Sequence, residues 1–241
     1  MKTSTLITDS SSPFACALAA EYAARGQPVC LAAETLTAKP DKNGLVRPES
    51  GPLLRHWLKT SALSARSLVL ACETVLGAPV VAVLCLDAFA LAESFVERTE
   101  QAGGAGMADL LGRCLDTAVK PVAHLAQDLL SRFNRTEGGT LCFVVREADM
   151  PGANSTTGSG VSPSADILLA AGVTSAAFSS FAESCARKAA ARTGLRVLLI
   201  KLEDADENAN ALWVAERLAE PAARTQSVRW LKAGSRGLFS R

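Results

Sequence analysis

The chain has 241 residues, 49% of them hydrophobic, and its 25 basic and 24 acidic side chains leave a formal charge of +1. This length and apolar content suit a single large α/β domain, residues 1–241, and the balanced charge gives no overall pull toward nucleic acid or anionic lipid. The seven cysteines are scattered without a CxxC pair, and no apolar leader follows Met1, so the expectation is buried, reduced core thiols in a cytoplasmic protein.

Thr3 to Glu34 reads as strand, loop, helix, strand. Leu6 and Ile7 close a short apolar strand, and Thr8 to Ser12 is a loop of small residues. Pro13 suits the first turn of a helix, where its missing N–H costs nothing. The helix carries Leu18, Ala19 and Tyr22 on one face and stops at Gly26, and Val29 to Ala33 is a second buried strand. A polar segment with three prolines and two glycines follows Glu34 and reads as a loop.

Leu53 to Leu58 is the next candidate strand, and Ser61 to Leu76 has the spacing of a helix ended by Gly77 and Pro79. Val80 to Leu86 is a continuous apolar run, as in a strand covered on both faces. Val75 to Ala92 is the most membrane-like stretch, but Pro79 and Asp87 interrupt it, and no membrane span is expected. A connection through Gly103, Gly104 and Gly106 leads to a long helix, Met107 to Asn134, with a kink or break expected near Lys120 because Pro121 lies inside it. Leu141 to Val145 is a strand, and 146–165 is a polar Gly/Ser/Pro segment. Then come a helix from Ile167 to Thr193, a strand at Val197 to Leu202, a helix at Asn208 to Ala219 and a last strand at Val228 to Leu231. Strands and helices alternate without a hairpin signal, which predicts a doubly wound parallel sheet with helices on both faces.

The opening stretch TDSSSPFACALA lies without a gap on the TGxxxGxG pattern and resembles the cofactor-binding start of a short-chain dehydrogenase/reductase. The resemblance covers nearly the whole chain by order and spacing of elements, and it implies a Rossmann-like sheet of about seven strands. All three glycines are replaced, by Asp9, Pro13 and Ala15. In the intact motif they permit the turn, the close approach of backbone to pyrophosphate and tight helix packing. The degenerate loop is thus Thr8, Asp9, Ser10, Ser11, Ser12, Pro13 and Ala15, with no N–H at Pro13 and a carboxylate at Asp9. An unneutralised Asp9 about 5 Å from a phosphate charge would repel it by roughly 3 kcal/mol at an effective dielectric of about 20. Glu34, at the end of the second strand, is either a ribose-binding acid or a solvated one.

The resemblance also implies a tyrosine acid/base with a lysine one helical turn later. On the matching helix those positions are Ala171 and Ser175, and the chain's one tyrosine, Tyr22, is on the first helix. The partner serine position falls on Gly158, with Ser155, Ser159 and Ser162 nearby; the asparagine position falls near Thr117 or Ala118. Where the family has a small turn after the fourth strand, the sequence is Leu86, Asp87, Ala88, Phe89, and Phe89 is expected to crowd the nicotinamide side. No catalytic set is therefore assigned. His56 and His124 lack ligand spacing, so no metal is expected. Arg224, Arg229, Arg236 and Arg241 read as a solvated basic face.

The expectation is a non-catalytic short-chain dehydrogenase/reductase-like protein acting by binding or assembly, with no cofactor. The alternative is a divergent NAD(P)-dependent oxidoreductase. In the family, the helices after the fourth and fifth strands pair with those of a second subunit. The resemblance thus implies a homo-oligomer through residues 107–134 and 167–193, with Ala176, Ala177, Ser180 and Ser184 offering a close approach beside Phe178 and Phe181.

Overall fold

The computed structural model describes residues 3–36, 38–41, 45–48, 51–59, 61–102, 106–136, 138–147, 164–192, 194–203, 206–221 and 228–233. In chain order these form β1 (Thr3–Ile7), α1 (Pro13–Ala24), β2 (Val29–Ala33), β3 (Leu45–Val46), β4 (Leu53–His56), α2 (Ala62–Leu76), β5 (Ala78–Asp87) and α3 (Ala88–Ala102). They continue with α4 (Met107–Cys114), a π-helical turn (Leu115–Val119), α5 (Lys120–Phe133), β6 (Gly139–Arg146), α6 (Ala165–Ala189), β7 (Leu195–Leu202), α7 (Glu207–Ala219) and β8 (Trp230–Ala233). The sheet has eight strands in the order β3-β4-β2-β1-β5-β6-β7-β8.

Seven of these strands run parallel, and β3 pairs antiparallel with β4, Leu45 opposite Arg55 and Val46 opposite Leu54. The expected doubly wound parallel sheet is present, with one short antiparallel strand that the polar stretch after Glu34 concealed. A second difference is α3, which occupies residues to which the sequence reading assigns no element. Its cap is Asp87, whose carboxylate accepts from the Phe89 and Ala90 N–H groups at 3.1 and 3.0 Å.

The central strands are buried on both faces, and the alternation of side chains divides the core in two. Leu6, Leu84, Phe143 and Leu199 meet α2, α5 and α6 through Leu68, Leu125, Leu129 and Phe178. Ile7, Val83, Val144 and Ile200 face the other way, against Phe14 and Leu18 of α1 and Val214 of α7. A smaller cluster, Ala92 and Phe95 with Leu110, Cys114, Ile167 and Ala171, ties α3 and α4 to α6. The stretch read as most membrane-like is the end of α2, β5 and the start of α3. Among the described residues α6 is the helix long and apolar enough to cross a membrane; here it lies along the sheet, with Phe178 edge-on to Phe143 at 5.8 Å between centroids.

The topology fixes where a ligand would lie. β1 and β5 are neighbours, and the chain leaves them toward opposite edges of the sheet, so a crevice opens beyond their carboxyl ends.

Candidate ligand cleft at the strand switch point

Thr8 follows β1 and stitches it to β5: its N–H donates to Val83 O at 2.9 Å, and its hydroxyl accepts from Cys85 N–H at 2.9 Å. Asp9 comes next with φ of 72°, the one non-glycine residue with positive φ among the described residues. The backbone thus keeps the left-handed turn that a glycine would make, and aspartate tolerates it better than most residues. The Asp9 carboxylate accepts from the Ser11 hydroxyl, which steadies the turn.

Several of the loop's backbone donors are turned inward. Ser10 N–H donates to Ala32 O at 3.0 Å, Ser12 N–H to Asp9 O at 3.0 Å and Cys16 N–H to Ser12 O at 3.1 Å. Ser12 caps α1, its hydroxyl accepting from Ala15 N–H at 3.5 Å, and Pro13 has no N–H to offer. A phosphate-binding loop works by presenting free N–H groups at a helix start; here these donors serve the chain itself. The residues present do not fit a dinucleotide pyrophosphate.

Lys59, three residues past β4, lies between two of the acids singled out above. Its ammonium is 2.7 Å from Glu34 Oε1 and 3.8 Å from Asp9 Oδ1, and it lies 5.8 Å from the centroid of the Trp57 ring. Asp9 is therefore not an isolated charge, and the repulsion computed for an unneutralised carboxylate is an overestimate. Glu34, more than half exposed, is held by this pair. Lys59 and Trp57 carry no sequence signal of their own, since they follow a short strand in an irregular segment.

The cleft, about 370 Å³, is lined on the acidic side by Asp9, Glu34, Asp87 and Glu93, with Lys59 as the one basic side chain among the described residues. Trp57, Leu91, Phe95 and Val122 supply apolar wall. Asp87 is 8% exposed. Burial pushes its carboxyl above the ordinary carboxylate value, against the pull of the Ala90 N–H and of Arg146. Arg146 Nε lies 3.8 Å from Asp87, and Arg146 also pairs with Glu207 at 2.6 Å.

The positions implied for catalysis that lie among the described residues do not form a proton relay. Ala171 is fully buried in the cluster that contains Phe95, and the Ser175 hydroxyl is buried without a partner among the described residues. Tyr22 packs in the core under α1. Thr117 and Ala118 do line the cleft, in the π-helical turn, but the Thr117 hydroxyl donates back to Arg113 O at 2.8 Å. Phe95, rather than Phe89, is the aromatic that lines the cleft from α3. Gly158 and Ser155, Ser159 and Ser162 lie outside the described residues, as do Arg224, Arg236 and Arg241; Arg229 is exposed. His56 is on β4 and His124 on α5, and no group of three metal-ligating side chains gathers among the described residues. Six of the seven cysteines are buried and Cys16, on α1, is exposed.

No family model matches the sequence. An uncharacterized protein of Treponema pallidum (strain Nichols) is 28% identical over 98% of this chain and 94% of its own length. Among solved structures, a short-chain dehydrogenase/reductase from Serratia marcescens superposes with a TM-score of 0.63 at 16% identity, covering 96% of this chain and 94% of that one. A metagenomic short-chain oxidoreductase in complex with NADP gives 0.62 at 14%, over 96% of each chain. The NADH-dependent reductase A1-R' complexed with NAD gives 0.60 at 14%, over 96% and 94%. The chain has the fold of these enzymes.

Proposed function

We propose that this protein is a short-chain dehydrogenase/reductase-type scaffold that acts by binding or assembly and performs no hydride transfer. The observation that carries the reading is the cleft itself. Among the described residues four carboxylates line it against one ammonium, several of its loop N–H groups are spent internally, and the tyrosine-lysine pair is replaced by buried Ala171 and Ser175. A carbonyl substrate would find no phenol to protonate it and no ammonium to lower that phenol's pKa.

The alternative reading is a divergent NAD(P)-dependent oxidoreductase. Lys59 beside Asp9 and Glu34 favours it, because the ammonium offsets part of the charge that would repel a phosphate. The solved NADP and NAD complexes of the same fold keep that reading in view. Calorimetric titration with NADH and NADPH separates the two. The expected outcome is no micromolar binding and no turnover over a panel of ketones and alcohols. Micromolar binding of either cofactor would establish the alternative.

For assembly we propose a homo-oligomer formed through α5 and α6. On α6 the outward residues Leu169, Val173, Ala176 and Ser180 are exposed and mostly apolar or small, which supports such a contact. Phe178 does not belong to that surface: it is fully buried against Phe143 in its own core, and Phe181 also meets Phe143 edge-on.

A further inference from the structure

The ligand class of the cleft follows from its chemistry, and this inference rests on the reading of the protein as a binding scaffold. We propose that the cleft takes a small organic amine that also carries a hydroxyl or ether oxygen, its ammonium replacing that of Lys59 between Asp9 and Glu34 and its oxygen meeting the indole N–H of Trp57.

Charge is the first argument. Among the described residues Asp9, Glu34 and Glu93, with Asp87 partly offset by Arg146, outnumber Lys59, and a net negative lining favours a cation and opposes a nucleotide. The acids are also spread along the cleft: no three come together as a metal ion would need among the described residues. An extended organic cation fits that distribution better than a point charge. The volume of about 370 Å³ falls within the roughly 300–1,000 Å³ of small-molecule sites, and Leu91 and Phe95 offer apolar wall for a carbon chain.

The second argument is that the protein already displays the recognition. Lys59 puts a primary ammonium 2.7 Å from Glu34, 3.8 Å from Asp9 and 5.8 Å from the Trp57 ring centroid. Carboxylate and aromatic face are the two groups by which proteins hold ammonium ions. Lys59 stands on an irregular segment after β4, so its side chain can withdraw and leave this niche to a ligand without unpairing a strand.

The third observation is independent of charge. Trp57 is 2% exposed and lines the cleft, yet its indole Nε1 is buried with no acceptor among the described residues. An unpaired buried donor is unfavourable. The indole lines the cleft, and a small shift of this wall on binding would bring its N–H to a ligand oxygen.

The test uses the full chain and four probes on similar carbon chains: aminopentanol, pentylamine, pentanol and hydroxypentanoate, followed by calorimetry. Aminopentanol should bind saturably with one site, pentylamine more weakly, and pentanol and hydroxypentanoate not at all. Glu34→Gln should weaken aminopentanol by about tenfold, as expected for loss of a charge-assisted contact. Lys59→Gln should tighten it by emptying the niche. Trp57→Phe should erase the advantage of aminopentanol over pentylamine, which a loss of packing alone would not do. Thermal melts of each variant identify any that are unfolded, and Trp57→Tyr, whose hydroxyl supplies a donor, serves if the phenylalanine variant fails to fold. No saturable aminopentanol binding, equal binding of hydroxypentanoate, or an unchanged affinity in folded Glu34→Gln would overturn the proposal. NADH is titrated alongside. Micromolar NADH binding would overturn the underlying scaffold reading, whereas failure of the amines with no NADH binding would remove this inference alone.

Discussion

Asp9 shows how a residue can replace glycine without replacing the turn. An L-residue in the left-handed region costs roughly 1–2 kcal/mol, less for aspartate or asparagine, whose short polar side chains bond locally. Here Asp9 gains the Ser11 hydroxyl and the nearby Lys59 ammonium in that conformation. Asp9→Ala should therefore lower stability by about 1–2 kcal/mol, while Asp9→Asn should stay within about 0.5 kcal/mol; urea midpoints of the two variants check this. The replacement of the three glycines was legible in the sequence, but its consequence was not. Lys59, the group that moderates Asp9, lies fifty residues away along the chain and reaches it only because β4 pairs with β2.

Tyr22 gives a second prediction at the same scale, made simple by its being the chain's one tyrosine. Burial, with a smaller contribution from Cys142 and against the pull of Arg25, raises its phenol from the ordinary 10 to about 12. Below pH 10 the phenol is protonated in both folded and unfolded chains and contributes no pH dependence. As pH rises from 10 to about 12 the unfolded chain ionises first, so stability is lost across that window. Tyrosinate absorbance of the folded protein should have its midpoint near 12, and Tyr22→Phe should lose less stability over the same interval. A midpoint at the ordinary value would show that the ring is not buried as described.

Among the elements, those with strong apolar runs were legible and those that depend on a cap or on pairing were not. β5 and β6 announce themselves as unbroken apolar stretches because both faces are covered. α3 lacks such a run, and its start was marked only by Asp87, which in sequence looks like the polar end of a strand. β3 has two residues and exists through its pairing with β4. The break expected near Lys120 is a π-helical turn, in which Lys120 N–H donates to Leu115 O. Pro121 cannot donate to the preceding turn, and the looser turn takes up the misfit without interrupting the helix.

The junction of α5 with β6 carries an element-scale prediction. Gly138 has φ of 111°, and a Cβ there would lie 1.9 Å from Gly194 O, which also accepts from Gly139 N–H at 3.0 Å. Gly138→Ala must move backbone between β6 and β7 and should cost about 2 kcal/mol or more. Gly172, inside α6, faces open space. Gly172→Ala should stabilise by up to about 1 kcal/mol through helix propensity. Urea midpoints of opposite shift in the two variants would confirm both environments, and a neutral Gly138→Ala would show that the junction is looser than its geometry.

At the scale of the molecule, the order of elements was enough to specify a doubly wound sheet, because parallel strands need helical crossovers of fixed hand. It was not enough to say what fills the crevice, since that depends on side chains brought together from β1, β2, the segment after β4, and α3. The same limit applies to assembly, where periodicity cannot tell an inward face from an outward one. The structure divides α6 into Phe178, Ala182 and Ala186 on the core and Leu169, Val173, Ala176 and Ser180 on the outside. Leu169 is 57% exposed and Val173 40%, an apolar exposure on a long helix that a second copy would cover. A two-fold contact sets the same face against itself, and small residues at Ala176 and Ser180 let two helices approach closely. Beside this face, α5 and α6 frame a groove of about 600 Å³ lined by His124, Gln127, Phe181 and Lys188. Light scattering at micromolar concentration should then report at least twice the 25.1 kDa chain mass. Ala176→Glu and Ser180→Arg, both on exposed positions, should return it to the single-chain mass with the helical circular dichroism unchanged. A wild-type protein that runs at the single-chain mass would refute the assembly, and an oligomer indifferent to both substitutions would move the contact to another surface.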